Sequence, residues 1–318
     1  MKIIVINNLL EERHFDMIKK TAASVGATVK IYETEKDIPD EDLDADVVYG
    51  FGTNIAKKST SIKWLCVPSA GVDFLMGDDC FANRDCILTN SAGAYGVTIA
   101  EHMTAVTLMM MRNLAGYVEG DLNRKWLMPQ KQRSIKDSRI TVLGTGDIGR
   151  TFAKRVRSFE PECIVGINRS GSLPEEFDRC YKVTDLEDIL PVTDVLEMCL
   201  PATGETKDIM TYERMMMLPE GAYIVNVGRG SAIDEDALVK CLESGHLAGA
   251  ALDVFRQEPL PESSPLWSVK NLLITPHVAG NLTLAHTKDK NVGMFCEDLV
   301  RFAGGKTLKY MVDRSRGY

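Results

Sequence analysis

The chain has 318 residues, 45% of them hydrophobic and 26% charged, an ordinary globular balance at a length that favours two lobes over one core. A formal charge of -8, with Lys and Arg scattered rather than clustered, argues against a nucleic-acid partner, whose binding draws on counterion release. Eight cysteines without a CxxC pair or zinc-finger spacing indicate neither a disulfide framework nor a metal cluster, and dispersed free thiols suit a cytoplasmic protein.

The start, MKIIVI, is apolar, but polar residues interrupt it and no small-residue cleavage site follows before Glu11-Glu12. It reads as a first strand rather than a signal peptide. Strands are expected at 3–6, 29–32, 47–49, 64–67 and 87–89, with a helix over 11–24 marked by Phe15, Ile18 and Ala22. The word AGVD at 70–73, just after the fourth strand, reads by itself as an ordinary turn. A long apolar helix is expected over 98–114; the apolar run within it is too short to span a bilayer. The stretch 117–137 is polar around Trp126 and Met128, and reads either as an exposed arm that buries its aromatic in a partner subunit or as a surface loop with one tucked tryptophan. The alternation then resumes, with strands at 140–143, 164–167, 195–198, 223–227, 248–252 and 272–274. Strands alternating with helices build parallel sheets covered on both faces, so two doubly wound α/β units are expected in succession. A last helix at 288–303, with Val292, Phe295, Leu299 and Phe302 at helical spacing, is left over and could return to the first lobe.

The strand at 140–143 runs directly into Gly144-Thr145-Gly146-Asp147-Ile148-Gly149, and a helical pattern follows. This is the context a dinucleotide-binding turn requires: one glycine for the tight turn, one for close approach of the pyrophosphate, one for helix–strand packing. The next strand ends in Asn168-Arg169-Ser170, where an acid for the ribose hydroxyls is expected of an NAD enzyme. Arg169 and Ser170 can instead hold a 2′-phosphate, which points to NADP in preference to NAD.

Three further words lie past later strands. Arg229 stands between Gly228 and Gly230, where a planar guanidinium matches a carboxylate bidentately and the glycines are expected to let the backbone turn sharply. His277, after Pro276, can give and take a proton near neutral pH. Glu258, followed by Pro259, can accept a hydrogen bond from the other ring nitrogen, fixing the tautomer and favouring the imidazolium. A cation for a carboxylate and a tunable acid for a carbonyl, downstream of a dinucleotide turn, make a hydride-transfer site for 2-oxo acids.

These words together resemble the D-isomer-specific 2-hydroxyacid dehydrogenase family, which includes glyoxylate/hydroxypyruvate reductases, along nearly the whole chain and most strongly from Gly93 to Gly280. The resemblance implies that Arg229 anchors the substrate, His277 is the general acid/base and Glu258 its partner. It further implies that Ala70, Gly71 and Val72 give backbone amides to the substrate carboxylate, that Asp253 lies near the nicotinamide carboxamide, and that Pro201, Thr206, Val227 and Gly280 join the cofactor site. It implies a flavodoxin-like substrate domain from 1–93 and 288–318, a Rossmann nucleotide-binding domain from 94–287, and a homodimer. The family departure is Arg169, where many relatives carry Asp. Corepressors that resemble the same family supply an alternative, a nucleotide-sensing interaction protein; formate-type relatives pair their histidine with glutamine, unlike Glu258.

Overall fold

The computed structural model describes residues 1–7 and 9–317. The chain divides into two compact units, one formed by Met1–Tyr95 with Asn281–Tyr318 and the other by Gly96–Gly280.

The first unit holds a five-stranded parallel sheet of β1 (Lys2–Ile6), β2 (Thr28–Tyr32), β3 (Val47–Gly50), β4 (Trp64–Cys66) and β5 (Ile87–Thr89). Its order, β2-β1-β3-β4-β5, is that of the flavodoxin-like doubly wound fold. Because successive strand residues face opposite sides, Ile3 and Val5 of β1 enter one core and Ile4 and Ile6 the other. The helices Glu12–Ser24 and Ala285–Ala303 cover the first of these faces through Ile18, Ala22, Val292, Phe295 and Leu299. Phe295 stacks on Tyr49 with ring centroids 4.4 Å apart and on Trp64 at 5.3 Å, which anchors the last helix on this sheet.

The second unit holds seven parallel strands: β6 (Arg139–Leu143), β7 (Cys163–Asn168), β8 (Arg179–Lys182), β9 (Val195–Met198), β10 (Ala222–Asn226), β11 (Leu247–Leu252) and β12 (Leu272–Ile274). They run β12-β11-β10-β9-β6-β7-β8, so the winding reverses between β6 and β9, and ligands bind past the carboxyl ends of strands at such a reversal. The sequence pattern missed β8: its residues RCYK lie on an edge with no fully buried position, so no apolar run marks them.

The helix expected over 98–114 is two helices, Gly96–Met111 and Leu114–Leu122, parted at Asn113 in the left-handed region with φ 51°. The tucked-tryptophan reading of the next segment fails, since Trp126 is 96% exposed and Met128 71%. The segment instead folds back on its helix, the Gln130 amide donating to the Tyr117 hydroxyl at 2.7 Å.

Beneath the helix Gly96–Met111, β9 buries Glu197 completely. One carboxyl oxygen accepts from the Thr107 hydroxyl at 2.7 Å and the other has no partner among the described residues. Burial pushes this carboxyl up to about 8 against an ordinary value near 4.5. A folded-state value above the unfolded one means that the stability is fully present below about pH 4.5 and is lost as pH rises toward 8, at about 1.4 kcal/mol per pH unit. Glu197→Gln should therefore flatten the thermal-stability profile across that window; two profiles parallel from pH 5 to 8 would show that Glu197 does not carry it.

Candidate active site

The glycine turn has the geometry its spacing promises. Gly144 takes a positive φ of 98°, which a side chain would oppose. A Cβ on Gly149 would fall 2.1 Å from the Gly144 carbonyl oxygen, so only glycine lets this helix approach its strand. A Cβ on Gly146 would meet nothing within 4 Å, leaving that face of the turn open. Gly146 is the N-cap of the helix Asp147–Val156 and supplies no side-chain cap, so first-turn amides stay available to an anion such as a pyrophosphate. Asp147 turns its carboxylate toward Gly96, where an added Cβ would lie 2.5 Å from Oδ2. Ile148 is half-buried behind it.

At the end of β7, the Asn168 side chain donates to the Thr145 hydroxyl at 2.8 Å and its oxygen accepts the Gly171 amide at 2.7 Å. These bonds tie the loop after β7 to the glycine turn. The Ser170 hydroxyl donates to Asn168 at 3.1 Å, while Arg169 is exposed and forms no ion pair among the described residues. Past β9, the Thr206 hydroxyl donates to the Pro201 carbonyl at 2.6 Å and closes that loop. Val227 is buried beside it, its amide donating to the Met198 carbonyl at 3.1 Å.

Three adjacent strands, β10, β11 and β12, carry the proposed chemistry just past their carboxyl ends. Arg229 follows β10 in extended backbone, φ -143°, and its Nη1 donates to the Gly228 carbonyl at 2.8 Å. The flanking glycines serve close approach rather than a sharp turn, because neither has a positive φ. A Cβ on Gly228 would lie 2.6 Å from the Leu200 carbonyl oxygen, and one on Gly230 1.9 Å from the carbonyl carbon of Phe255. Asn226 fixes the loop from beneath, donating to the Arg229 carbonyl at 2.9 Å and accepting the Gly228 amide at 3.0 Å.

Past β12, His277 Nδ1 lies 2.7 Å from Glu258 Oε2. The other carboxylate oxygen of Glu258 accepts the Phe255 amide at 2.8 Å, which orients the carboxylate. With Nδ1 donating to a carboxylate, Nε2 is left to exchange a proton. The imidazole is half exposed and the Glu258 side chain one-third exposed, so both can be reached from solvent. Glu258→Gln keeps the shape but removes the charge that supports an imidazolium, and a charge-assisted bond is worth about 1.5 to 3 kcal/mol. A fall in kcat by roughly one to two powers of ten, with the KM for cofactor unchanged, is the expected result; kcat within twofold of the parent would make Glu258 a structural residue.

Asp253 is almost fully buried at the end of β11. Its Oδ1 accepts from the Thr275 hydroxyl at 2.6 Å and from the Val278 amide at 2.9 Å, and its Oδ2 from the Ala279 amide at 2.9 Å. The sequence reading did not single out Asn226 or Thr275. Asn226 had a signal, a polar residue closing an otherwise apolar strand. Gly280, which closes the His277 loop, is the last residue of this unit. In the first unit the AGVD loop is pinned by Asn90, which donates to the Ala70 carbonyl at 2.8 Å, and by Ser69, which donates to the Gly71 carbonyl at 2.8 Å. Val72 is buried, and the amides of Ala70, Gly71 and Val72 have no acceptor among the described residues.

A family model described as D-isomer specific 2-hydroxyacid dehydrogenase, NAD binding domain, matches residues 104–279. A glyoxylate reductase from Aeropyrum pernix is 31% identical over 248 residues, 74% of this chain and 72% of that one. The crystal structure of a D-isomer specific 2-hydroxyacid dehydrogenase family protein from Aeromonas salmonicida superposes with a TM-score of 0.88 at 31% identity, covering 98% of this chain and 99% of that one. A D-isomer specific 2-hydroxyacid dehydrogenase from Xanthobacter autotrophicus, solved in complex with NADPH and MES, superposes with a TM-score of 0.84 at 27% identity over 100% of this chain and 99% of that one. The two parallel sheets, the dinucleotide turn and these likenesses converge: the chain belongs to the D-isomer specific 2-hydroxyacid dehydrogenase family and is an oxidoreductase that works with a nicotinamide cofactor.

Proposed function

We propose that the chain reduces a small 2-oxo acid, of the size of glyoxylate or hydroxypyruvate, to the D-2-hydroxy acid, and that it prefers NADPH to NADH. The observation that carries this reading is the 2.7 Å His277–Glu258 pair at the carboxyl end of a sheet that also presents Arg229 two strands away. The open Gly146 face and the uncapped helix behind it fit a dinucleotide pyrophosphate. When bound, NADPH supplies the hydride. Arg229 binds the substrate carboxylate through its planar fork, which orients the carbonyl. His277 donates a proton from Nε2 to the carbonyl oxygen as it gains charge, and Glu258 stabilises the imidazolium that precedes this transfer. The amides of Ala70, Gly71 and Val72, without an acceptor among the described residues, are proposed to receive the anionic group. Thr145, Pro201, Thr206, Val227, Asp253 and Gly280 are proposed to line the cofactor site. Steady-state oxidation of NADPH against a panel of 2-oxo acids tests the proposal: turnover should be greatest with the two- and three-carbon acids, and activity confined to bulky branched acids would overturn it.

The cofactor preference rests on Arg169, exposed and without an ion-pair partner among the described residues, beside Ser170. The Xanthobacter relative bound to NADPH supports the same reading. Arg169→Asp replaces a cation with an anion against the 2′-phosphate, while the ribose hydroxyls of NADH gain an acceptor. Losing one charge-assisted pair costs roughly 1.5 to 3 kcal/mol, so the ratio of NADPH to NADH efficiency should fall by at least about one to two powers of ten. A ratio that stays constant would mean that Arg169 does not read the phosphate.

A homodimer is part of the proposal. Leu122, which ends the helix Leu114–Leu122, and Trp126 and Met128 on the arm after it are 78%, 96% and 71% exposed, and burial of these apolar side chains in a second copy is part of the reading. The eight cysteines are all free thiols, which fits a cytoplasmic location; no helix among the described residues is long and apolar enough to cross a membrane. The interaction-protein alternative is not favoured, because the named relatives are reductases and dehydrogenases.

A further inference from the structure

His277 has a positive φ of 53°, a conformation that costs a non-glycine residue on the order of 1 kcal/mol or more and persists only where neighbours enforce it. Asp253 is the enforcing group. Its carbonyl accepts the His277 amide at 2.8 Å, and its carboxylate accepts the next two amides, those of Val278 and Ala279, at 2.9 Å each. Thr275, on the other side of His277, donates its hydroxyl proton to the same carboxylate at 2.6 Å. A hydroxyl has one proton, so the remaining contact of Thr275 Oγ1, with His102 Nε2 at 3.2 Å, has the imidazole donating and the hydroxyl accepting.

His102 belongs to the helix Gly96–Met111, which is itself fixed at both ends. Near its start Gly96 abuts Asp147 and Thr151 of the helix behind the glycine turn, and near its end Thr107 donates to buried Glu197. A side chain from this helix therefore refers the position of the His277 loop to the same element against which the dinucleotide turn is packed.

We infer that His102 is a positioning residue for His277, acting through a hydrogen-bonded strut from His102 to Thr275 to Asp253 that holds the loop of the acid in its left-handed conformation. The inference rests on the reading of His277 as the proton donor. Burial lowers the His102 pKa, against the opposing pull of the Asp253 charge, which favours the neutral imidazole.

The strut is tested by kinetics on variants of the full chain. His102→Phe removes the donor at similar volume, and His102→Gln keeps an N–H of similar reach. His102→Phe should lower kcat for 2-oxo acid reduction about tenfold, the worth of one hydrogen bond left unmade at a half-buried acceptor, with the Kd for NADPH within about twofold of the parent. His102→Gln should recover most of that loss. In a Thr275→Val background, where the strut is already cut, His102→Phe should add little, since members of one network are non-additive. Equal impairment by Phe and Gln, effects that multiply across the double variant, or a His102→Phe enzyme that turns over like the parent would each overturn the inference. Should Phe at position 102 prevent folding, Thr275→Val against Thr275→Ser carries the same contrast, with serine expected to retain activity. A His277→Ala control separates the two readings: parent-like turnover there removes the proton-donor assignment itself, whereas a crippled His277→Ala beside a fully active His102→Phe removes only the strut.

Discussion

Replacing His277 with alanine should lower turnover by roughly two to four powers of ten, the usual worth of a positioned general acid. The binding of NADPH should hardly change, because the glycine turn and the loop after β7 lie at other strands of the sheet. The expectation follows from the Glu258–His277 contact of 2.7 Å, in which an Nδ1–H donating to the carboxylate would leave Nε2 for the proposed proton transfer. Single-turnover reduction with saturating cofactor, beside a fluorescence titration of NADPH, separates the two effects. Parent-like turnover with normal cofactor binding would remove His277 from the chemistry.

Arg229 should show a loss of comparable size with a different signature. Arg229→Met keeps the length of the side chain and removes two directed donors, each worth about 1.5 to 3 kcal/mol to a charged partner, so kcat/KM for the 2-oxo acid should fall by roughly two to four powers of ten. Much of that should appear as a raised KM for the acid. Arg229→Lys should recover only part of it, since a point charge cannot grip a carboxylate in two places. A lysine variant equal to the parent would mean that position 229 supplies charge alone.

The parts of this molecule that the sequence made legible are those where one local pattern decides the outcome. Strands such as β1, β6 and β10 are largely apolar because helices cover both faces, and their residues announce them. The glycine turn was legible for a related reason: Gly144 and Gly149 are each forced by a local backbone requirement, and the spacing of such requirements is a motif. Strand β8 was hidden because an edge strand with every residue at least partly exposed needs no apolar run. The break lies where Arg112 and Asn113 interrupt the apolar pattern, an interruption short enough to be read as part of one helix; the structure marks it by the left-handed φ of Asn113.

In the candidate site, the residues proposed for the chemistry, Arg229, Glu258 and His277, were singled out from the sequence and the groups that hold them were not. The glycines beside Arg229 suggested a sharp turn, whereas the structure uses them where the chain passes against Leu200 and Phe255, neighbours contributed from other strands. Glu258 is aimed by the Phe255 amide, and Asp253 grips three partners around His277. His102 reaches Thr275 across 173 positions of sequence, a contact that helical periodicity on its own helix cannot signal.

Hydride transfer from a nicotinamide cofactor to C2 of a small 2-oxo acid, with His277 supplying the proton, is the proposed reaction. Its most direct test is reduction of hydroxypyruvate by the full chain with NADPH deuterated at the transferring position of C4, followed by mass and chiral analysis of the product. The expected product is D-glycerate carrying one deuterium at C2, formed at a rate that collapses in His277→Ala. Product of the L configuration, product without the label, or no oxidation of NADPH or NADH by any small 2-oxo acid would contradict it.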